Sequence, residues 1–153
     1  MSIEFANETE FDLVEQHYLR LINFLMKKLE LHPKTEVGLV MVSEETIAQL
    51  NEEWLGETGP TDVLSFPIDE IAPFGRWLGA EPGVLGDIVL CPSYAARQAE
   101  SKGVFQQSEF ELLVTHGMLH LVGFDHDSPE AEREMFELQD IFLAEFRAKS
   151  EET

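Results

Sequence analysis

One short stretch near the end of the chain constrains its fold more than any other. Residues 115–127 read T-H-G-M-L-H-L-V-G-F-D-H-D and contain three of the five histidines. On an α-helix, residues four positions apart lie about 40° apart around the axis and about 6 Å apart along it. His116 and His120 would therefore share one face, and Gly123 would end the helix, because glycine readily adopts the left-handed conformation of helix C-termini. The chain can then turn back and bring His126 to the same ion, so the stretch predicts a metal site.

Three histidine ligands favour a catalytic metal over a structural one. Structural zinc sites are closed by four protein ligands, whereas catalytic sites keep one tetrahedral position open. The competing interpretation is two histidines on the core face of an amphipathic helix plus one unrelated loop histidine. The turn glycine between them makes that interpretation the weaker one. Cys91, the single cysteine, is expected to be a small buried hydrophobe, with a fourth ligand as the alternative.

The spacing H-x-x-x-H-x-x-G-x-x-H also occurs in the metzincin proteases. Those enzymes carry a glutamate directly after the first histidine, and it acts as the general base. Here that position is Gly117. Peptide hydrolysis by the usual route would lack its base, so a protease is the second hypothesis.

Hydrophobic patterns predict four strands and five helices. The strands are expected at residues 3–5, 37–42, 62–66 and 86–90. The helices are expected at residues 12–31, 43–56, 94–102 and 108–123, and from residue 129 onward. The expected N-caps are Asp12, Ser43, Ser93, Ser108 in a capping box with Glu111, and Ser128. Residues 67–83 are rich in proline and glycine, which predicts an ordered loop or a flexible flap.

These elements predict an α+β fold. Strands come first and helices concentrate at the end, which is typical of one small sheet packed by helices. We expect a single domain over residues 1–153, with a mixed sheet of about four strands, about five helices, and the metal site at the end of the fourth helix. Residues 150–153 are expected to fray.

The charge balance restricts the partners of the chain. A net charge of −20 with only ten lysines and arginines excludes long-range attraction of nucleic acid. RNA binding would need a local basic patch or a docked partner, and DNA binding is not expected. No apolar run approaches the roughly 20 residues of a membrane span, and the first residues show no export signal. The single cysteine fits a reducing cytoplasm, which is the expected compartment.

Three stretches together resemble the bacterial YbeY family. They are L-N-E-E-W-L-G-E-T-G-P-T-D-V-L-S-F-P at 50–67, L-G-D-I-V-L at 85–90 and H-G-M-L-H-L-V-G-F-D-H at 116–126. The resemblance implies a single-strand endoribonuclease with one zinc ion held by His116, His120 and His126. It also implies a role in 16S rRNA 3′-end maturation and ribosome quality control. The implied partners are precursor rRNA in the small ribosomal subunit, the GTPase Era and a small-subunit ribosomal protein.

One position departs from the family pattern. Many members have an arginine between an aromatic residue and a glycine at the end of the second helix, whereas this chain has Leu55 between Trp54 and Gly56. A leucine cannot make the bidentate phosphate contact of an arginine. Either Arg97 or Arg20 is expected to supply that charge, or activity on RNA is expected to be weaker.

Two aspartates that flank the third histidine are candidates for catalysis. Asp125 or Asp127 would orient His126 or accept a proton from the attacking water. The competing interpretation is turn and cap chemistry at the end of the helix. Zinc lowers the pKa of a bound water to about 7, so RNA cleavage does not require the glutamate that the proteases use. Asp62 and Ser65 are weaker candidates that would shape the cleft.

Two alternative functions stay open at this point. One is a zinc hydrolase of another substrate, similar to a metalloprotease, which a base beside the metal would favour. The other is a non-catalytic ribosome-assembly factor with a structural zinc. A fourth protein ligand, such as Cys91, would favour that second alternative.

Overall fold

The computed structural model describes residues 2–75 and 82–151. Its strands are β1 (Ser2–Asn7), β2 (Glu36–Met41), β3 (Val63–Pro67) and β4 (Val84–Leu90). Its helices are α1 (Glu15–Lys28), α2 (Glu44–Leu55), α3 (Pro92–Lys102), α4 (Gln106–Leu121) and α5 (Pro129–Glu151). Over the described residues, the expected α+β architecture of four strands and five helices is confirmed.

The strands form one mixed sheet in the order β1-β2-β4-β3. β1, β2 and β4 run parallel, and β3 pairs antiparallel with β4 at the edge. The register between β2 and β4 shifts next to Val37, which pairs with Gly86. Gly86 has a φ of +144°, and a Cβ there would clash with the carbonyl oxygen of Phe66. Only glycine therefore allows the edge strand to approach so closely at this irregularity.

Two hydrophobic clusters lie on opposite faces of this sheet. Ile88 and Leu90 belong to the main core, whereas Val89 and Cys91 belong to a smaller cluster, as expected for alternate residues of a strand. The main core is built with α1, α4 and α5, and the smaller cluster is closed by Ile47 of α2. Ten of the sixteen residues of α4 are buried. The helix that carries the first two histidines is therefore firmly held by its surroundings.

Two predicted N-caps are confirmed. The Ser43 hydroxyl accepts a hydrogen bond from the Thr46 amide at 3.2 Å, at the start of α2. The Ser128 hydroxyl accepts one from the Ala131 amide at 3.1 Å, directly before Pro129 opens α5. The end of α2 is also as predicted, with Gly56 as C-cap.

Two other predicted N-caps are wrong. α1 begins at Glu15, because the side chains of Asn7 and Thr9 hydrogen-bond to the backbone of Phe11 and hold the preceding segment in a turn. Asp12 therefore lies before the helix. Ser93 lies inside α3, which starts one residue earlier at a proline. Its hydroxyl donates to the Glu44 carboxylate at 2.7 Å instead of capping the helix.

The predicted capping box of α4 is also wrong. The helix begins at Gln106 after Phe105, so Ser108 and Glu111 lie inside it. Glu111 is buried and accepts a hydrogen bond from Nε of Arg147 at 2.9 Å. The Glu111 carboxylate, which the sequence pattern assigns to a local capping box, forms a tertiary ion pair with Arg147 instead.

Two smaller boundary differences concern the edge hairpin. β3 extends through Pro67, which pairs with Gly86, and β4 begins two residues earlier than expected. Proline is tolerated there because β3 is an edge strand. Of the expected loop or flap at residues 67–83, residues 76–81 lie outside the described part of the chain, and residues 68–75 form neither helix nor strand.

The C-terminal helix runs to Glu151. The expected frayed tail falls partly on residues 152–153, which lie outside the described residues. Among the helices that the structure describes, none combines the length and apolar character needed to cross a membrane.

Candidate metal centre

His116 and His120 lie one turn apart near the end of α4. Their Nε2 atoms are 3.0 Å apart, and their ring centroids are 4.5 Å apart. The helical spacing of four places both side chains on one face, as the sequence predicts. Both rings are only partly exposed.

The turn after α4 brings the third histidine to the same point. Gly123 adopts a φ of +102°, and its amide donates to the carbonyl of His120 at 3.0 Å. The chain then reverses, and the His126 ring lies 5.8 Å from that of His116 and 5.3 Å from that of His120. One nitrogen from each of the three rings lies within 4.8 Å of the others. The predicted cluster of His116, His120 and His126 is therefore present.

Hydrogen bonds from outside the cluster orient two of the rings. Nδ1 of His116 lies 3.1 Å from Oε1 of Gln139, a residue of α5 that is only 7% exposed. Because an amide oxygen only accepts, Nδ1 of His116 carries the proton and its Nε2 keeps a free lone pair. His120 makes a hydrogen bond to the backbone of Phe124. Such partners fix the orientation of histidines that bind metals.

The surroundings favour neutral imidazoles. Burial lowers the pKa of His116, and the nearby His126 lowers it further, while Gln139 and Asp62 act in the opposite direction. Burial also lowers the pKa of His120, and the other two histidines add to this effect. A metal ion binds the neutral form, so the site is electrostatically prepared for one.

The three nitrogens fit a single metal ion. Two nitrogen ligands about 2.0–2.1 Å from one tetrahedral ion lie about 3.3 Å apart, close to the observed 3.0 Å between His116 and His120. Among the described residues, the cluster contains these three ligands and no fourth. Cys91 lies in the smaller hydrophobic cluster, with its Sγ 3.6 Å from the hydroxyl of Ser93. The donor set matches an open, catalytic type of site.

Gly117 is required by packing. A Cβ at this position would lie 2.9 Å from Cγ2 of Ile88 and 3.2 Å from Oγ of Ser65. The Ser65 hydroxyl donates to the Gly117 carbonyl at 3.2 Å, so α4 and β3 are in direct contact there. A side chain on residue 117 would point into the sheet, so this chain cannot present a glutamate at that position without moving the helix.

The three histidines open into a cleft of about 630 Å³. Its walls come from β3, from the ends of α2 and α3, and from α4 and α5. Leu55, Asp62, Ser65, Lys102 and Phe136 are among the residues that line it. Asp62 and Ser65 thus do shape the cleft, as the sequence predicts.

Asp62 is held in place by three hydrogen bonds. Its Oδ1 accepts from the Val63 amide at 2.7 Å and from the Thr61 hydroxyl at 3.3 Å, and its Oδ2 accepts from Gln98 at 3.0 Å. These contacts tie the start of β3 to α3. The carboxylate therefore helps to fix the wall of the cleft.

Asp125 and Asp127 both lie on the exposed turn that follows α4. Oδ1 of Asp125 accepts a hydrogen bond from the Asp127 amide at 3.1 Å, which is turn chemistry. The charge of Asp125 raises the pKa of His120, against the larger lowering effects. Neither aspartate is among the described residues that line the cleft. Their catalytic role stays a prediction.

The structure does not bring Arg97 or Arg20 to the site. Arg97 forms a two-point ion pair with Glu44, with both N–O distances at 2.6 Å. Arg20 lies 3.5 Å from Nδ1 of His17. Among the described residues lining the cleft, Lys102 is the one lysine or arginine.

Sequence reasoning missed three residues of the site: Gln139, Lys102 and Phe136. Gln139 meets His116 across 23 positions of sequence, and no local pattern marks such a contact. Phe136 lies in α5 next to the buried Met135 and is itself 38% exposed, so its apolar character alone does not mark it as a residue of the cleft. Lys102 follows the usual preference for a cation at a helix C-terminus, which conceals any further role.

Comparison with known proteins gives a consistent result. The family described as "Endoribonuclease YbeY" matches residues 2–147. A Thermobifida fusca protein named Endoribonuclease YbeY is 48% identical over 152 residues, covering 99% of this chain and 98% of its own length. A Nocardioides protein of the same name is 50% identical over 149 residues, covering 97% of this chain and 100% of its own length.

A solved structure also matches this fold. The solution structure of a Thermotoga maritima protein superposes with a TM-score of 0.66 at 28% sequence identity. The match covers 99% of this chain and 95% of that one.

Proposed function

The chain belongs to the YbeY family of endoribonucleases, and on that premise we propose that it is a zinc-dependent enzyme that cuts single-stranded RNA during 16S rRNA 3′-end maturation and ribosome quality control. The observation that carries this proposal is the group of three histidine nitrogens within 4.8 Å at one end of an open cleft. The cleft gives a phosphodiester access to the ligands.

Each residue of the site has a defined part in this proposal. His116, His120 and His126 would hold the ion, and Gln139 would keep the Nε2 of His116 directed at it. Zinc in such a site supplies an ionisable water near neutral pH and polarises a phosphoryl oxygen. Ser65, through its hydrogen bond to Gly117, keeps α4 in register with the wall of the cleft.

Proton transfer from the attacking water also needs a residue that accepts the proton. We assign it to Asp125 or Asp127, the aspartates on the turn that carries His126. The charge of Asp125 raises the pKa of His120, and Oδ1 of Asp125 accepts a hydrogen bond from the Asp127 amide within the turn. Asp127 donates its backbone amide to that turn and is exposed.

The proposed partners follow from the substrate and the charge. The substrate is precursor rRNA in the small ribosomal subunit, and the proposed location is the cytoplasm. A chain with a net charge of −20 gains little from long-range attraction to RNA. We therefore propose that a small-subunit ribosomal protein and the GTPase Era deliver the enzyme to its substrate.

The two alternatives are less well supported. A peptidase of the metzincin type needs a glutamate where this chain has Gly117, and Ile88 occupies the space in which its side chain would begin. A structural zinc needs a fourth protein ligand, and none accompanies the three histidines among the described residues.

Cleavage of a 3′-extended small-subunit rRNA fragment tests the proposal. The purified protein would be assayed as prepared, after chelation, and after zinc is restored, with His120→Ala as the inactive variant. We expect cutting that stops with chelator, returns with zinc and is absent from the variant. A zinc-loaded wild-type protein that cuts neither this fragment nor intact small subunits would overturn the proposal.

A further inference from the structure

We propose that Lys102 binds an RNA phosphate next to the metal cleft and supplies the positive charge that Leu55 cannot. This inference rests on the proposed function, because it assigns a substrate contact within the same cleft. It differs from the sequence-based expectation, which looked to Arg97 or Arg20 for the charge.

The distribution of charge around the cleft leads to this assignment. Leu55 lines the cleft and is 57% exposed, but it offers no hydrogen-bond donor to a phosphate. Among the described lining residues, the only lysine or arginine is Lys102, the last residue of α3. Phosphate contacts by lysine and arginine supply most of the sequence-independent affinity for nucleic acids.

A buried carboxylate fixes the position of the ammonium group. Nζ of Lys102 donates to Oε1 and Oε2 of Glu109 at 3.0 and 2.9 Å. Glu109 is 2% exposed, whereas the Lys102 side chain is 52% exposed. Gln98 donates to both Glu109 and Asp62, which links the pair to the cleft wall. An ammonium group has three N–H donors, so after two bonds to Glu109 one remains for a phosphate oxygen.

Lys102 also borders a second cavity beside the metal cleft. That cavity has a volume of about 400 Å³ and shares Lys102 and Leu112 with the metal cleft. An RNA strand that extends from the metal toward the second cavity would therefore pass Lys102. Seen from far away, the negative charge of Glu109 cancels the positive charge of Lys102. The attraction between Lys102 and a phosphate therefore acts only over a short distance. This restricted range is compatible with the strongly acidic surface of the chain.

Salt-dependent RNA binding distinguishes a phosphate contact from a structural ion pair. The probe is a fluorescein-labelled single-stranded RNA copied from the 3′ extension of small-subunit rRNA. Stopped-flow anisotropy with the zinc-loaded protein reads its Kd before product forms, over a series of salt concentrations. The variants are Lys102→Gln, Glu109→Gln, the double variant, and Lys34→Gln as an exposed lysine outside the cleft.

For Lys102→Gln we expect Kd and KM to rise about 3–10-fold at unchanged kcat, which corresponds to the loss of one charged contact. The slope of log Kd against log salt should fall by about 0.7, the value for one phosphate of a single strand. The double variant should show the same loss, because it keeps an uncharged pair in place of the ion pair. Glu109→Gln should bind at least as tightly as wild type, and Lys34→Gln should match wild type.

Two results would overturn the inference. The first is a salt slope in Lys102→Gln equal to that of wild type, and the second is a double variant that regains the wild-type Kd. Either result is what a purely structural ion pair between Lys102 and Glu109 would give. If Lys102→Gln does not fold, the double variant decides the question alone. A protein that binds the RNA but cuts neither it nor intact small subunits refutes the proposed function, while the slopes still decide the role of Lys102. A protein that does not bind the RNA overturns the inference, and one that also cuts neither the RNA nor intact small subunits refutes the proposed function as well.

Discussion

Nε2 of His116 and Nε2 of His120 lie 3.0 Å apart, so the two rings present these nitrogens to one point. The amide oxygen of Gln139 accepts a hydrogen bond from Nδ1 of His116, so the lone pair on Nε2 of His116 is directed at this meeting point. Burial keeps the pKa of both rings low, and the third histidine arrives from the turn that follows the helix. The arrangement has the donors, charge state and support of a metal site.

Loss of the Gln139 amide should weaken metal binding without unfolding the protein. Gln139→Leu preserves the size of the side chain but removes the acceptor for Nδ1 of His116. We expect a loss of zinc affinity of about 10–100-fold, which is typical for partners of metal-bound histidines. Competition with a chromophoric chelator measures this affinity. Gln139→Glu keeps an acceptor oxygen and should retain tight binding; equal affinity in all three proteins would contradict the assigned role.

A methyl group at position 117 should destabilise the fold. In Gly117→Ala, the new Cβ would meet Ile88 at 2.9 Å, and we expect a cost of about 1–3 kcal/mol from overpacking. Urea denaturation of wild type, Gly117→Ala, Ile88→Ala and the double variant gives the interaction energy. The Ile88→Ala change alone should cost about 2–5 kcal/mol, and the double variant should cost less than the sum of the two. Strict additivity would show that the two residues do not compete for space.

The ion pair between Arg147 and Glu111 should contribute more to stability than the one between Arg97 and Glu44. Glu111 is 5% exposed, so Arg147→Met leaves a buried carboxylate with fewer donors, at an expected cost of about 1–3 kcal/mol. Arg97 and Glu44 are 58% and 34% exposed, and solvent screens their attraction, so Arg97→Met should destabilise the protein less than Arg147→Met does. Chemical denaturation of both variants compares them. A larger loss for Arg97→Met would refute this ranking.

Stability should fall in alkaline solution through Tyr18. Burial, with the charge of Glu111, raises the pKa of Tyr18 from 10.0 to about 12. The folded state keeps a proton that the unfolded state loses, so stability is complete below pH 10 and declines as pH rises toward 12. At pH 11 we expect a loss on the order of 1 kcal/mol.

The pH effect can be assigned because the chain has only two tyrosines. Urea unfolding at about pH 9 and about pH 11 should show a smaller decline in Tyr18→Phe than in wild type. Tyr94→Phe, the matched control, should decline as wild type does. The same decline in all three proteins would mean that Tyr18 does not titrate as described.

The features that the sequence predicts well are those that depend on neighbours along the chain. The caps at Ser43 and Ser128 and the positions of His116 and His120 follow from helical spacing and side-chain bonds to nearby amides. Periodicity predicts the strands and helices for the same reason. Their boundaries shifted by only a few residues.

The capping predictions that are wrong concern side chains that hydrogen-bond to residues far away in the sequence. Ser93 bonds to Glu44, 49 positions away, and Glu111 bonds to Arg147, 36 positions away. Local capping rules do not include such competitors. No sequence pattern marks Gln139 and Lys102, because their contacts form only when α5 and α3 pack beside α4. The antiparallel pairing of β3 at the sheet edge is likewise a tertiary choice that the sequence pattern leaves open.

A zinc titration of the metal-free protein tests directly whether His116, His120 and His126 bind one metal ion. Isothermal titration would be carried out on wild type, on His120→Ala and on His32→Ala, which changes a histidine outside the cluster. We expect one tightly bound zinc per chain in wild type and in His32→Ala, and a loss of tight binding in His120→Ala. If His120→Ala bound zinc as wild type does, the three histidines would not form the metal site and the proposed mechanism would be wrong.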